Sequence, residues 1–457
     1  MTPAPHRMPG PLFDAVAEGG GGAEALLLLA RAEYSRRLAC VHAITAAARE
    51  ISGATGQQAQ EAWELLAAAQ RAAPEATAAV IAHPSAGPAL AGLLARVQRA
   101  GEQGPNPPLA ATPPAPPVHW LTAIAAAATA RAALPGSVRW TATDPWVALP
   151  SLGRAHLPGV RAGDSAELRV TADGQVSVGA AGSLPLTVPP DPYTVRGRWH
   201  GGRILTGADT GAPLVLGALD PTCFPGAVPQ PGAIGADDLR RWRSTAHDAY
   251  RLLRTDHPVP YAELTAGPRV LVPLTRVGPG SVSGSSAETF GCVAMSLPNS
   301  GTGFAVTLTH EMQHNKFAAL LHLFDLFDTA APELYYAPWR PDPRPLLGLF
   351  HGAYAHLGVA QFWNRRREAD PHTAQRAAAH AHFARWRTAT REATTTILAS
   401  GHLTPLGHHF ATRMLHTADA LCALPVPAEA RRRALGAARA HRSTWTDRHG
   451  TAEVLPV

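Results

Sequence analysis

The segment from Pro105 to Pro117, PNPPLAATPPAPP, is one that neither a helix nor a central strand can cross. Its prolines lack the N–H both need, and the run favours stiff, extended polyproline II. It divides the 457-residue chain unequally, and at roughly 100–200 residues per domain the chain has room for two to four domains. Hydrophobic residues make up 46% and charged residues 16%, a balance that buries a core and excludes a disordered chain.

On either side of this connector the hydrophobic period changes. Gly22 to Glu50 and Gln57 to Ala100 keep apolar residues at helical spacing, with breaks at Pro74, Pro84 and Pro88. From Ser137 to Leu219, short alternating runs such as SVRWTAT and AELRVTA are separated by Gly, Pro and Asp turns, which reads as strands. Helical periodicity resumes at Ala236–Thr255, followed by the strand candidates RVLVPLTRV and TFGCVAMSLPN. Then come one long helix over Gly301–Asp328, an irregular link, and helices over Pro345–Glu368, Pro371–Ser400 and Pro405–Arg442. The expected architecture is α+β and mostly helical, with a zincin-like metal helix and a β-rich middle. Its parts are a helical region 1–104, the connector 105–117, a β-rich region 118–235 and a catalytic region 236–457.

The net charge of +6 rests on basic residues spread along the chain and partly interleaved with acids, which argues against a nucleic-acid surface. No basic start followed by an apolar run opens the chain, and nowhere do about 18 apolar residues follow one another uncharged, so neither a secretion signal nor a membrane span is expected. Cys40, Cys223, Cys292 and Cys422 stand far apart with no C-x-x-C pair, which excludes a disulfide scaffold and a thiolate zinc ribbon and fits a reducing cytoplasm.

The chemistry concentrates at His310-Glu311-Met312-Gln313-His314. Imidazoles at i and i+4 lie about 40° apart on one helix face, one turn up, so both reach one ion, and the glutamate can act on a metal-bound water. Even with 22 histidines, chance supplies on the order of 0.05 such motifs. The next residue but one, Lys316, is the sole lysine and falls off the His310, His314, Phe317, Leu321 stripe, so it is not expected on the metal. A chain that otherwise uses arginine keeps an ammonium there, which points to a role a guanidinium fork does not fill.

An open site needs a third protein ligand. Phe317 and Leu320 replace the glycine and histidine of the extended H-E-x-x-H-x-x-G-x-x-H pattern, excluding the metzincin form. Glu333 has the approximate spacing of a thermolysin-like glutamate ligand, but Pro332 and Pro338 argue against the helix that would present it. His351 and His356 remain, in LLGLFHGAYAHLGVAQFW. They are about 140° apart on the wheel, so one should face the metal helix, and His351, on the apolar side, is preferred with His356 as second-shell or alternative ligand. In WRPDPRP, Arg340 and Arg344 sit on pre-proline, extended backbone, placed either to hold a carboxylate bidentately or to clamp Asp342.

VTLTHEMQHNKFAALLHLFDLF followed by YYAPWRPDPRPLLGLFHGAYAHLGVAQFW resembles the HExxH-motif proteins associated with ribosomally synthesised, post-translationally modified peptides, densely from about Phe290 to Trp363. That resemblance implies an iron(II)- and 2-oxoglutarate-dependent enzyme hydroxylating a side-chain β-carbon of a precursor peptide. His310 and His314 would be iron ligands with a downstream histidine as the third, and an arginine, Arg340 or Arg344, would anchor the co-substrate's distal carboxylate, with Lys316 as fallback. Glu311 would then order a water or second-shell partner.

Two other readings compete. A zinc endopeptidase would use Glu311 as general base, and a silent peptide-binding module would keep the fold without the metal. In any peptide-binding reading, TFGCVAMSLPN could offer a free edge to an extended substrate, unless it is a covered core strand.

Overall fold

The computed structural model describes residues 6–49, 54–102, 119–181, 183–206, 213–217, 224, 228, 234–267, 269–276, 281–450 and 454–455. The Pro105–Pro117 connector lies outside the described residues. The helices are α1 (Gly10–Ala17), α2 (Gly22–Arg49), α3 (Ala54–Ala72), α4 (Pro74–Ile81), α5 (Ala86–Glu102), α6 (His119–Arg131) and α7 (Ala236–Asp256). They continue with α8 (Pro258–Ala266), α9 (Gly301–Leu321), α10 (Leu346–Ala369), α11 (Thr373–Ala399), α12 (Pro405–Ala423) and α13 (Ala428–His449). The fold is α+β and mostly helical, and the strands form several small sheets. Among the described residues no single helix is long and apolar enough to cross a membrane.

Proline sets several helix starts, standing in the first turn of α4, α8 and α12, where its missing N–H costs nothing. Three boundaries depart from the sequence expectation: Pro88 lies inside α5 instead of breaking a helix, and two others shift. The helix that carries His310 and His314 stops at Leu321 rather than Asp328, and the last helical run is cut at Pro425 and Pro427 into α12 and α13. Helix α6 is a larger miss, since its alanine-rich sequence has no polar face to reveal a period. Residues 121–129 of it are all buried against the N-terminal helices and sheets, at the start of what reads as the β-rich region.

Two four-stranded antiparallel sheets make the β-rich middle. One orders Gly136–Thr141, Ser165–Val170, Val176–Ala180 and Leu186–Thr187; the other orders Trp146–Leu149, Gly153–His156, Trp199–His200 and Val195–Arg196. In Ser165–Val170 the alternate residues Ala166, Leu168 and Val170 are buried, the period of two that marks a sheet with one covered face. These strands share one core with α2–α6, running from Cys40 to Trp199.

The five-stranded sheet positions α9, the helix that carries His310 and His314. Its order is Ser283–Gly284, Cys292–Met295, Val270–Pro273, Val215–Leu216 and Arg203–Ile204; the inner three are parallel and the outer two antiparallel. Cys292–Met295 runs into α9 through a short link, and Ser300 caps that helix by accepting from the Gly303 N–H at 3.1 Å. The N-terminus folds back beneath α9 and α10: Leu12, Phe13 and Val16 join Phe317, Phe350, Tyr354 and Phe410 in one apolar cluster, and the Tyr354 hydroxyl donates to the Val16 carbonyl at 2.7 Å.

Candidate metal centre

From α9, His310 and His314 point their Nε2 atoms at each other across 3.1 Å, with ring centroids 4.7 Å apart. Burial lowers both pKa values, so both rings are neutral near pH 7 and keep lone pairs for a metal. Helix α10 runs antiparallel to α9. Gly358 lies against Gln313, His356 against His310, His351 against His314, and Phe350 against Phe317. The expectation that only one downstream histidine faces α9 is therefore corrected. Their 140° separation on the wheel is offset by their separation along the axis, so each meets a different member of the pair.

The two downstream rings are held differently. His356 donates from Nδ1 to the Gly352 carbonyl at 2.9 Å, which fixes the tautomer and leaves Nε2 as the lone-pair nitrogen. Its ring stacks on Trp339 (centroids 4.4 Å, planes 17° apart) and packs against Trp386 at 4.6 Å. Gly352 makes room for this: a Cβ there would meet the Trp339 ring at 2.4 Å. Gly358 likewise makes room for the side chain of Gln313. His351 stands edge-on to Phe317 at 4.7 Å, its pKa pushed down to about 4 by burial and the nearby His322.

Metal–imidazole bonds of about 2.0–2.1 Å at near-tetrahedral angles separate two ligand nitrogens by roughly 3.3 Å and place ring centroids roughly 5 Å apart. The His310–His314 nitrogens fit that geometry, and the His310–His356 centroid distance of 5.0 Å falls in the same range, against 5.6 Å for His314–His351. Even so, among the described residues no three His, Cys, Asp or Glu side chains form a group that could hold a metal ion.

Glu311, 1% exposed, accepts a hydrogen bond from the Ser283 hydroxyl at 2.7 Å through Oε1, which lies 4.0 Å from His310 Nε2. Its other oxygen, Oε2, is buried with no hydrogen-bond partner among the described residues. Ser283 belongs to the outermost strand of the five-stranded sheet, so Glu311 faces both the histidine pair and that edge. The strand expected to carry the edge, Cys292–Met295, is buried at all four residues and flanked on both sides, so it accepts no further strand.

The basic residues divide sharply. Lys316 is fully buried, and its three donors meet Glu263 Oε1 at 2.7 Å and the Gly20 and Gly19 carbonyls at 2.8 and 3.2 Å. It clamps α9 to α8 and to the turn after α1, and no donor remains for a co-substrate, a correction to its place as fallback anchor. Arg340 and Arg344 both clasp Asp342, at 3.0 and 3.2 Å, in a partly exposed loop. Arg385 of α11 lies over its neighbour Trp386, whose ring packs against His356, and donates to the Pro338 carbonyl at 2.8 Å; burial, with His310 and Arg385 nearby, pushes the His356 pKa down to about 3. Glu333 pairs with His402 at 2.9 Å, away from the histidines. Arg385, Trp386 and Ser283 have no local sequence signal, because only tertiary packing brings them to the motif.

No known family model matches this chain, and no curated protein sequence matches it.

Proposed function

We propose that the chain is an iron(II)- and 2-oxoglutarate-dependent hydroxylase acting on a side-chain β-carbon of a ribosomally synthesised precursor peptide. The observation that carries this reading is the cluster of neutral imidazoles on antiparallel helices, His310 and His314 against His356 and His351, with Glu311 beside it and Glu333 outside it. His310, His314 and His356 are the proposed ligands, with His356 preferred to His351 because its Nδ1 bond presents Nε2. When bound, iron with 2-oxoglutarate supplies the oxidation of a C–H bond by dioxygen. Glu311, held by Ser283, orients water or substrate beside the metal. Arg385 joins Arg340 and Arg344 as a candidate anchor for the distal carboxylate, and it is preferred because it lies over Trp386, which packs on His356, whereas the other two share Asp342.

An extended peptide would add to the outer edge at Ser283–Gly284, whose outer side pairs with no strand among the described residues and whose serine already touches Glu311. Mass spectrometry of a candidate precursor peptide incubated with iron(II), 2-oxoglutarate and air tests the reading. Gain of one oxygen atom supports it, whereas metal-dependent cleavage without that gain transfers the site to a zinc endopeptidase.

A further inference from the structure

A second cavity lies away from the histidine cluster, where the N-terminal helices, the sheet containing Trp199–His200 and the strand Val270–Pro273 meet. It measures about 280 Å³ and shares no lining residue with the metal centre. Trp120 and Tyr193 give it aromatic walls, Arg131 and Arg269 give it charge, and His83 and His200 complete its polar lining, with no aspartate or glutamate lining it among the described residues.

Arg131 is the informative residue. It is half-buried, and among the described residues it forms no ion pair; its donors reach Ser151 instead, Nε to the hydroxyl at 3.2 Å and Nη2 to the carbonyl at 2.6 Å. Ser151 stands at φ 66°, the left-handed region, in the turn closed by the Leu152 N–H on the Leu149 carbonyl at 3.0 Å. A non-glycine residue there is strained and persists where its surroundings hold it. The Arg131–Ser151 bonds do so at the cavity wall. A half-buried guanidinium without a carboxylate is only partly compensated by neutral acceptors, and an incoming anion supplies what is missing.

We propose that this cavity binds a small organic carboxylate with a flat apolar body, the carboxylate held by Arg131 and Arg269 and the body packed on Trp120 and Tyr193. The volume sits at the lower end of small-molecule sites, roughly 300–1,000 Å³, so it suits an aryl acid or one acidic side chain with its neighbour and is too small for a nucleotide. This site is independent of the metal chemistry and stands or falls separately from it.

The test is calorimetric titration of the full chain with phenylacetate, with its uncharged isostere phenylacetamide, and with the blocked dipeptide acetyl-Phe-Glu-amide, all in the presence of a metal chelator. Phenylacetate should bind at least tenfold more tightly than phenylacetamide. Arg269→Gln, at an exposed position, should weaken it tenfold or more with an unchanged circular dichroism spectrum, and Tyr193→Ala should weaken it several-fold. Tighter binding of the dipeptide than of phenylacetate would assign the carboxylate to a peptide side chain, and the reverse to a free acid. Equal affinity for acid and amide, indifference to Arg269→Gln, or no heat from either carboxylate would overturn the proposal.

Discussion

On the proposed reading the chemistry depends on His310 and His314, whose neutral ring nitrogens 3.1 Å apart are placed to share an ion. His310→Ala and His314→Ala should each reduce bound metal from stoichiometric to background by elemental analysis, with the fold retained. For the third ligand, His356→Ala should lower metal affinity more than His351→Ala does; the opposite order returns the role to His351. Among the cations, Arg385→Ala should weaken 2-oxoglutarate binding by about tenfold to a hundredfold, the cost of one charge-assisted bidentate pair. Arg340→Ala and Arg344→Ala should change it less, since both guanidiniums are already shared with Asp342. Anaerobic titrations of the three variants decide this. The motif pair was legible in the sequence because its spacing encodes its geometry. How His351, His356 and Arg385 sit relative to that pair was not, since it depends on how α10 packs on α9 and α11 on α10.

At the scale of elements, α9 is tied down by Lys316, whose ammonium and the Glu263 carboxylate are both buried. Burial pushes Glu263 up and Lys316 down, and each is countered by the other's charge. Lys316→Met leaves Glu263 without its partner and should destabilise the protein by about 3–5 kcal/mol in urea melts, whereas the double variant Lys316→Met, Glu263→Leu should lose distinctly less. The junction of α7 and α8 makes a pH prediction. His257 lies flat on Phe362, with centroids 4.3 Å apart, and burial, with Arg366 and Arg365 nearby, pushes its pKa down to about 3. Unfolded, it titrates near 6.5, so below that pH the unfolded state binds the extra proton and stability falls. Between pH 7 and pH 5.5 the loss from this residue is about 1 kcal/mol, and His257→Phe, measured with chelator present, should lack it. The long amphipathic helices were readable from period alone, and α7 matches its expected span closely. The alanine-rich α6 was not, because a helix buried on all sides has no amphipathic signature.

Across the whole molecule, chain order and spatial order part company. Gly19 and Gly20, near the start, receive the Lys316 ammonium, and Val16 accepts from Tyr354, so the N-terminal turn is a structural support of a motif some 300 residues later. No local pattern announces that contact, although the lone lysine marked one end of it. The mostly helical α+β class and the β-rich middle followed from hydrophobic period and turn residues. The edge strand beside Glu311 was misplaced, because the apolar run of Cys292–Met295 reads equally as edge or core until its neighbours are known. The measurement that tests the central claim most directly is an anaerobic titration of the iron(II)-loaded full chain with 2-oxoglutarate, following the visible absorption of the chelate. A saturable band at one equivalent, absent in His310→Ala, is the predicted result. Stoichiometric iron with no spectral response to 2-oxoglutarate would contradict it.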